Sequence, residues 1–212
     1  MIDFPDSLLS GYRSFRDGRY AREHARYRSL AAHGQRPEVM VIACSDSRSA
    51  PETIFNAAPG EIFVVRNVAN LVPPYEPDGA PDGISAALEF AVQSLKVRHV
   101  VVLGHGRCGG IRAALRPAAE PLSPDDFIGT WMKLLGPAAN EIAANARLTE
   151  EERQTALERA SIRHSVSNLR TFPFVSDLES RDRLSLHGAW FDIAGGALWT
   201  MNPATGEFSK AE

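Results

Sequence analysis

The sequence predicts an α/β fold: a mainly parallel sheet with flanking helices, preceded by an N-terminal helical arm. Three observations predict it. Short, continuous, β-branched apolar runs recur at 38–43, 61–65 and 98–103, a pattern that suits strands buried on both faces. Segments with helical character separate them, and strand–helix–strand–helix–strand order places parallel strands beside helices packed on the sheet. The 212 residues, 44% hydrophobic and 23% charged, suit one large domain of ordinary globular composition.

The elements follow in chain order. Phe4 to Ala32 carries Leu8, Leu9, Tyr12, Phe15, Tyr20 and Tyr27 on broad helical faces, Gly11 and Gly18 weaken it enough for two helices, and Gly34 stops it. Arg13, Arg16, Arg19, Arg22, Arg26 and Arg28 are interleaved with Asp17 and Glu23, which reads as a solvated or subunit-facing helix surface rather than a phosphate-binding patch. Glu38 to Ala43 is the first strand. Ser49 to Phe55 is a short helix with Pro51 in its first turn. Pro59-Gly60 turns the chain into a second strand, Glu61 to Val65. Leu71 to Pro81 is a proline-rich loop. Asp82 to Leu95 is a helix with Ile84, Leu88, Ala91, Val92 and Leu95 on one face. Arg98 to Leu103 is the third strand, followed by a glycine cluster and a helix from Ile111 to Leu115.

Pro117 to Pro124 is a break. Two helices are expected next, Asp125 to Arg147 and Thr149 to Arg170, the second opened by a capping box of Thr149 and Glu152. Pro173 ends that region. Leu184 to Asp192 and Gly196 to Met201 form a closing pair of strands. The single domain thus divides into a helical arm (1–34), an α/β core (35–116), a helical segment (117–173) and C-terminal strands (174–212).

Composition excludes several classes of function. The net charge is -3, without the clustered basic face that nucleic acid or a lipid surface requires. No apolar run reaches the roughly 18 residues of a membrane span. The opening MIDFPDSLLS lacks the basic start and apolar core of a secretory signal, so the expected location is cytoplasmic. In a reducing compartment the two cysteines, Cys44 and Cys108, are free thiols, redox groups or metal ligands rather than a structural disulfide.

Both cysteines fall just after predicted strands. In a parallel sheet, chemistry collects beyond the carboxyl ends of the strands, where strand order reverses. If the first strand lies between the second and third, Ala43-Cys44-Ser45-Asp46-Ser47-Arg48 and Gly104-His105-Gly106-Arg107-Cys108-Gly109-Gly110 share one crevice. A lone cysteine reads as a small core hydrophobe. Two of them with His105 three residues before Cys108 read as Cys44, His105 and Cys108 holding one zinc, with the fourth tetrahedral position open for catalysis. Zinc brings the pKa of a water from about 15.7 towards 7. Asp46 is placed to orient the resulting hydroxide, and Arg48 to grip the Asp46 carboxylate in a bidentate fork.

Other motifs weigh less. Gly104 to Gly109 matches G-x-G-x-x-G, but no second strand ending in an acid follows, so tight packing around the ligands explains the glycines better than a nucleotide. His24, His33, His99, His164 and His187 lack partnered spacing and read as surface or core filler. Trp131, Trp190 and Trp199 read as core.

Cys-x-Asp-x-Arg at 44–48 with His-x-x-Cys at 105–108 resembles the signature of the β-class carbonic anhydrases. Pro59-Gly60-Glu61, Val65 to Asn70, Ala87 to Val92, Ser167-Asn168-Leu169, His187-Gly188 and Thr205-Gly206 extend the resemblance over residues 1–208. It implies reversible hydration of carbon dioxide to bicarbonate and a proton by zinc-bound hydroxide, with one zinc per subunit. It implies strand order 2-1-3-4 plus an edge strand, N-terminal helices that wrap a partner, and a homodimer or dimer of dimers. It also implies that Gln35 and the backbone at Gly109 contact substrate. Related chemistry on the same scaffold, such as carbon disulfide hydrolysis, or a non-catalytic zinc-bearing interaction protein, are the competing functions. A subgroup of the family anchors a regulatory bicarbonate on a tryptophan, an arginine and a tyrosine. Here those positions are Val41, Arg66 and Phe191, so no such site is expected.

Overall fold

A computed structural model describes residues 4–79, 82–116 and 121–211. Pro81 and Pro117, at the edges of the two predicted proline-rich stretches, lie outside them. The chain divides into two compact units, Met1–Arg36 and Pro37–Glu212.

The N-terminal unit is helical. Helix α1 (Asp6–Phe15) runs through a π turn (Arg16–Tyr20) into α2 (Ala21–His33). Gly11 and Gly18 therefore do not separate two helices; the chain absorbs Gly18 within one wider turn. Gly34 ends α2 at φ 77, a left-handed conformation that glycine adopts without a Cβ penalty.

In the second unit, β1 (Val39–Cys44), α3 (Pro51–Ile54), β2 (Ile62–Asn67), α4 (Gly83–Glu89), β3 (His99–His105) and α5 (Gly109–Ala114) follow in the expected order. Asp82 caps α4, accepting from the Ile84 and Ser85 backbone N–H groups at 3.1 and 2.9 Å, and a π turn, Phe90–Leu95, extends the helix.

The region from 125 to 170 differs from expectation. The first expected helix is broken into α6 (Phe127–Met132), a 3-10 turn (Lys133–Leu135) and α7 (Gly136–Ala144). Pro137, which has no N–H to give to the preceding turn, starts a new helix instead of continuing the old one. Helix α8 (Glu150–Leu169) has the expected capping box on Thr149 and Glu152. Pro173 does not end the helical region; it opens α9 (Pro173–Ser180), whose first turn tolerates proline for the same reason. Strands β4 (Ser185–Phe191), β5 (Leu198–Met201) and β6 (Phe208–Lys210) close the unit.

The sheet order is β2-β1-β3-β4-β5-β6. Strands β2, β1, β3 and β4 are mutually parallel, and β5 and β6 add antiparallel. The expected order with one added strand, β5, is present, and β6 pairs on its outer side as a further edge strand; β6 is three residues long and too short to leave a periodic signal. One sheet face packs Met40, Ile42, Val100 and Val102 against Leu88, Val92, Ile162 and Val166 of the helical layer. The other face gathers Val41, Ala43, Leu103 and Ala189. Because β1 lies between β2 and β3, the loops leaving β1 and β3 open into one crevice at the carboxyl edge of the sheet.

Candidate metal centre

Cys44 is the last residue of β1, His105 the last of β3, and Cys108 the residue before α5. All three are buried, and one ligating atom from each lies within 4.8 Å of the others. Their sulfurs are 3.9 Å apart. A disulfide needs about 2.05 Å, whereas two thiolates on one tetrahedral zinc, each at about 2.3 Å, stand about 3.8 Å apart.

The histidine supplies an independent test. Its Nδ1 lies 2.9 Å from the Gly106 carbonyl. That bond fixes the tautomer and leaves Nε2 with a free lone pair. Nε2 is fully buried and has no hydrogen-bond partner. A buried polar atom without a partner is costly, and a cation between Nε2 and the two sulfurs removes the cost. Two soft thiolates and an imidazole are the donor set that zinc favours. Between the sulfurs, Cys44 is the acidic member: the hydrogen bond from Cys108 lowers its pKa, burial opposes this, and the Asp46 and Ala69 backbone assist. Cys108 is pushed up by that same bond and by burial.

The loop after β1 holds the predicted Asp46–Arg48 pair. Arg48 Nε donates to Asp46 Oδ1 at 2.9 Å and its Nη2 to Oδ2 at 2.7 Å. The Arg48 backbone N–H adds a third bond to Oδ1 at 3.0 Å. Arg48 thus holds the Asp46 carboxyl well below the usual carboxylate range, with burial opposing. Asp46 Oδ2 lies 3.9 Å from His105 Nε2, and the carboxylate points along the guanidinium fork beside the ligand cluster. Arg66 braces the same loop, donating to the Cys44 and Asp46 carbonyls at 2.8 and 2.6 Å.

Sequence reasoning missed other contributors. The Ala69 N–H donates to Cys44 Sγ at 3.4 Å. To do so Ala69 sits at φ 65 and Asn70 at φ 50, left-handed conformations that a turn adopts only when its surroundings enforce them. Helix α8 supplies that enforcement: Ser165 Oγ donates to the Asn70 carbonyl at 3.1 Å, and Asn168 Nδ2 to the Val72 carbonyl at 2.8 Å. Glu158, buried in α8, accepts from the Cys108 N–H at 3.0 Å. Nothing in a single acid on a helix face marks it as a neighbour of a ligand fifty residues earlier.

The glycines beside the ligands serve close packing. A Cβ on Gly104 would come within 2.7 Å of Ile162 Cδ1, and one on Gly110 within 2.7 Å of Val68 Cγ1. Gly109 faces open space. Gln35 belongs to the N-terminal unit and is exposed. His99 and His187 are not isolated: their ring nitrogens lie 3.2 Å apart across β3 and β4, a proximity that strand pairing creates and linear spacing hides.

A mainly parallel α/β sheet with a Cys–His–Cys cluster at its reversal point defines a zinc site of the open, catalytic kind. The carbonic anhydrase family model matches residues 39–198. Beta carbonic anhydrase 5, chloroplastic, of Arabidopsis thaliana is 36% identical over 214 residues, covering 99% of this chain and 69% of that protein. The solved structure of the β-carbonic anhydrase CcaA superposes with a TM-score of 0.85 at 28% identity, covering 98% of this chain and 92% of that one. One of two tetrameric β-carbonic anhydrases from Sordaria macrospora superposes at 0.79 with 29% identity, covering 96% and 98%. The chain belongs to the β-class carbonic anhydrases, zinc-dependent lyases whose function is the reversible hydration of carbon dioxide.

Proposed function

We propose that Asp46 and Arg48 carry the orienting chemistry of that reaction, with Cys44, His105 and Cys108 holding the zinc. One observation supports this most: the bidentate Arg48–Asp46 fork stands 3.9 Å from the unpartnered Nε2 of His105. Zinc, when bound, supplies the Lewis acidity that makes water acidic near neutral pH. Asp46, kept ionised by Arg48, can only accept hydrogen bonds. It would therefore accept a hydrogen bond from the reacting hydroxide and direct the oxygen lone pair towards carbon dioxide. Arg48 fixes the direction of the carboxylate through the bidentate fork. The proton released passes to solvent buffer.

Gln35 and the Gly109 N–H are proposed as substrate contacts. Gly109 opens α5 and has free space above its Cα; the role of Gln35 rests on the family resemblance. Residues 1–212 act as one catalytic domain in this reading, with 1–34 as an arm, 35–116 as the zinc-binding core, 117–173 as a helical segment and 174–212 as C-terminal strands. The working form is a homodimer or a dimer of dimers. Leu8, Tyr12 and Phe15 recur at helical spacing on α1 and stand 58%, 57% and 37% exposed, an apolar stripe that a second copy would cover. The compartment is cytoplasmic, consistent with two thiols held free.

The test is a stopped-flow hydration assay with and without a zinc chelator, run beside a carbon disulfide assay. Chelator-sensitive carbon dioxide hydration is expected; activity only on carbon disulfide, or none with zinc bound, defeats the reading. Sedimentation at several concentrations tests the dimer, and fractionation of the source cell tests the compartment against the chloroplast that one relative's name carries.

A further inference from the structure

Glu158 lies on α8 and is 2% exposed. Its Oε1 accepts from the Cys108 N–H and from Gln154 Nε2, both at 3.0 Å. Its Oε2 accepts from the Trp190 indole N–H at 3.1 Å. Gln154, one turn earlier, also donates to the Cys108 carbonyl at 3.3 Å and accepts from Arg112 Nε of α5 at 3.2 Å. Helix α8 therefore grips both ends of the Cys108 residue.

Stability alone does not account for this carboxylate. Among the described residues no arginine or lysine forms an ion pair with it, although it is buried. A buried acid without a cation is costly, and an apolar side chain of similar volume fills such a place at lower cost. The loop it grips is one that needs holding. Arg107, between the two ligands of that loop, is at φ 58, a left-handed conformation for a side chain with a Cβ. Such a residue keeps its place only where neighbours over-determine it.

We propose that Glu158 is a positioning residue for the metal: by accepting the Cys108 N–H it sets the position of the Cys108 sulfur against Cys44 and His105. This rests on the zinc reading of the cluster. Its effect is on how tightly the protein holds zinc, before any turnover.

The experiment measures zinc transfer to a competing chelator, with the melting temperature of each zinc-free protein recorded alongside. E158L removes every acceptor and is expected to weaken zinc binding roughly 10–100-fold, the usual cost of losing an outer partner of a ligand. E158D keeps the charge but withdraws the oxygen by one methylene, and is expected to fall between E158L and wild type. W190F deletes a different bond to the same carboxylate, so it is expected to lower the melting temperature while zinc binding stays at the wild-type value. Wild-type zinc affinity in E158L overturns the proposal, as does zinc loss in W190F that matches E158L for each degree of melting temperature lost. If E158L fails to fold, E158D against W190F decides by the same criterion. Wild-type protein that takes up no zinc defeats the zinc reading itself, whereas zinc-loaded wild type with an indifferent Glu158 defeats only this inference.

Discussion

The two loops that form the metal centre are built differently. The loop after β1 is largely held from within: Asp46 is fixed by the side chain and backbone of Arg48, two residues on, and Ser49 N–H closes the turn onto the Asp46 carbonyl at 3.0 Å. The loop after β3 is held from outside, by Glu158 and Gln154 and by the Phe191 carbonyl, which accepts from the Gly106 N–H at 2.8 Å, all from later in the chain. The first loop carries its chemistry and the hold on its carboxylate in one stretch of sequence, with Arg66 of β2 bracing its carbonyls from outside. The second carries only its ligands, and borrows its rigidity from α8 and β4.

The comparison can be broken at several points. Removing a ligand strikes both loops at once. Cys108→Ser is expected to abolish stoichiometric zinc and bring hydration down to the uncatalysed rate, read by metal analysis and stopped-flow; retained zinc with full activity would exclude a shared ion. Asp46→Asn strikes only the first loop. It is expected to lower kcat by about two to four orders of magnitude while zinc stays bound, and unchanged turnover would remove the orienting role of Asp46.

Arg48→Ala separates charge from geometry. Arg48 depresses the Asp46 pKa, so the pair contributes stability that is present above the ordinary carboxylate value of about 4 and lost as the pH falls through the lower folded value. The melting-temperature gap between wild type and Arg48→Ala should be level from pH 8 down to about 5 and shrink at more acid pH. A gap that widens on acidification would contradict the assignment.

Regulation gives a further point. Arg66 is committed to the Cys44 and Asp46 carbonyls, Val41 is 1% exposed, and Phe191 has no hydroxyl. Bicarbonate should therefore act as a simple product, with hyperbolic kinetics; steep cooperative activation would contradict this. The smallest effect is expected far from both loops. Thr149→Ala removes the capping box of α8 and should cost about 1 kcal/mol, seen as a small fall in melting temperature with zinc content and kcat unchanged.

Much of the fold was legible because its signals are local. The strands of the parallel core are unbroken apolar runs, and α8 announces itself by Thr149 and Glu152. The misreadings also have a common cause. Pro173 reads as a stop and Pro137 passes unmarked inside one expected helix, whereas both open new helices, since a proline at N1 and a proline that follows a helix carry the same local signal. Strand β6 needs β5 beside it to exist at all.

The sequence by itself pointed to the Cys44–His105–Cys108 cluster, the Asp46–Arg48 pair and the parallel order of the core, because each depends on residue type, short spacing or hydrophobic run length. Only the tertiary structure decided that Cys44 stands 3.9 Å from Cys108, that Ala69 is bent to reach its sulfur, and that Glu158 is the residue gripping the second loop. These depend on strand register and helix docking, which bring together groups whose separation along the chain carries no trace of their contact.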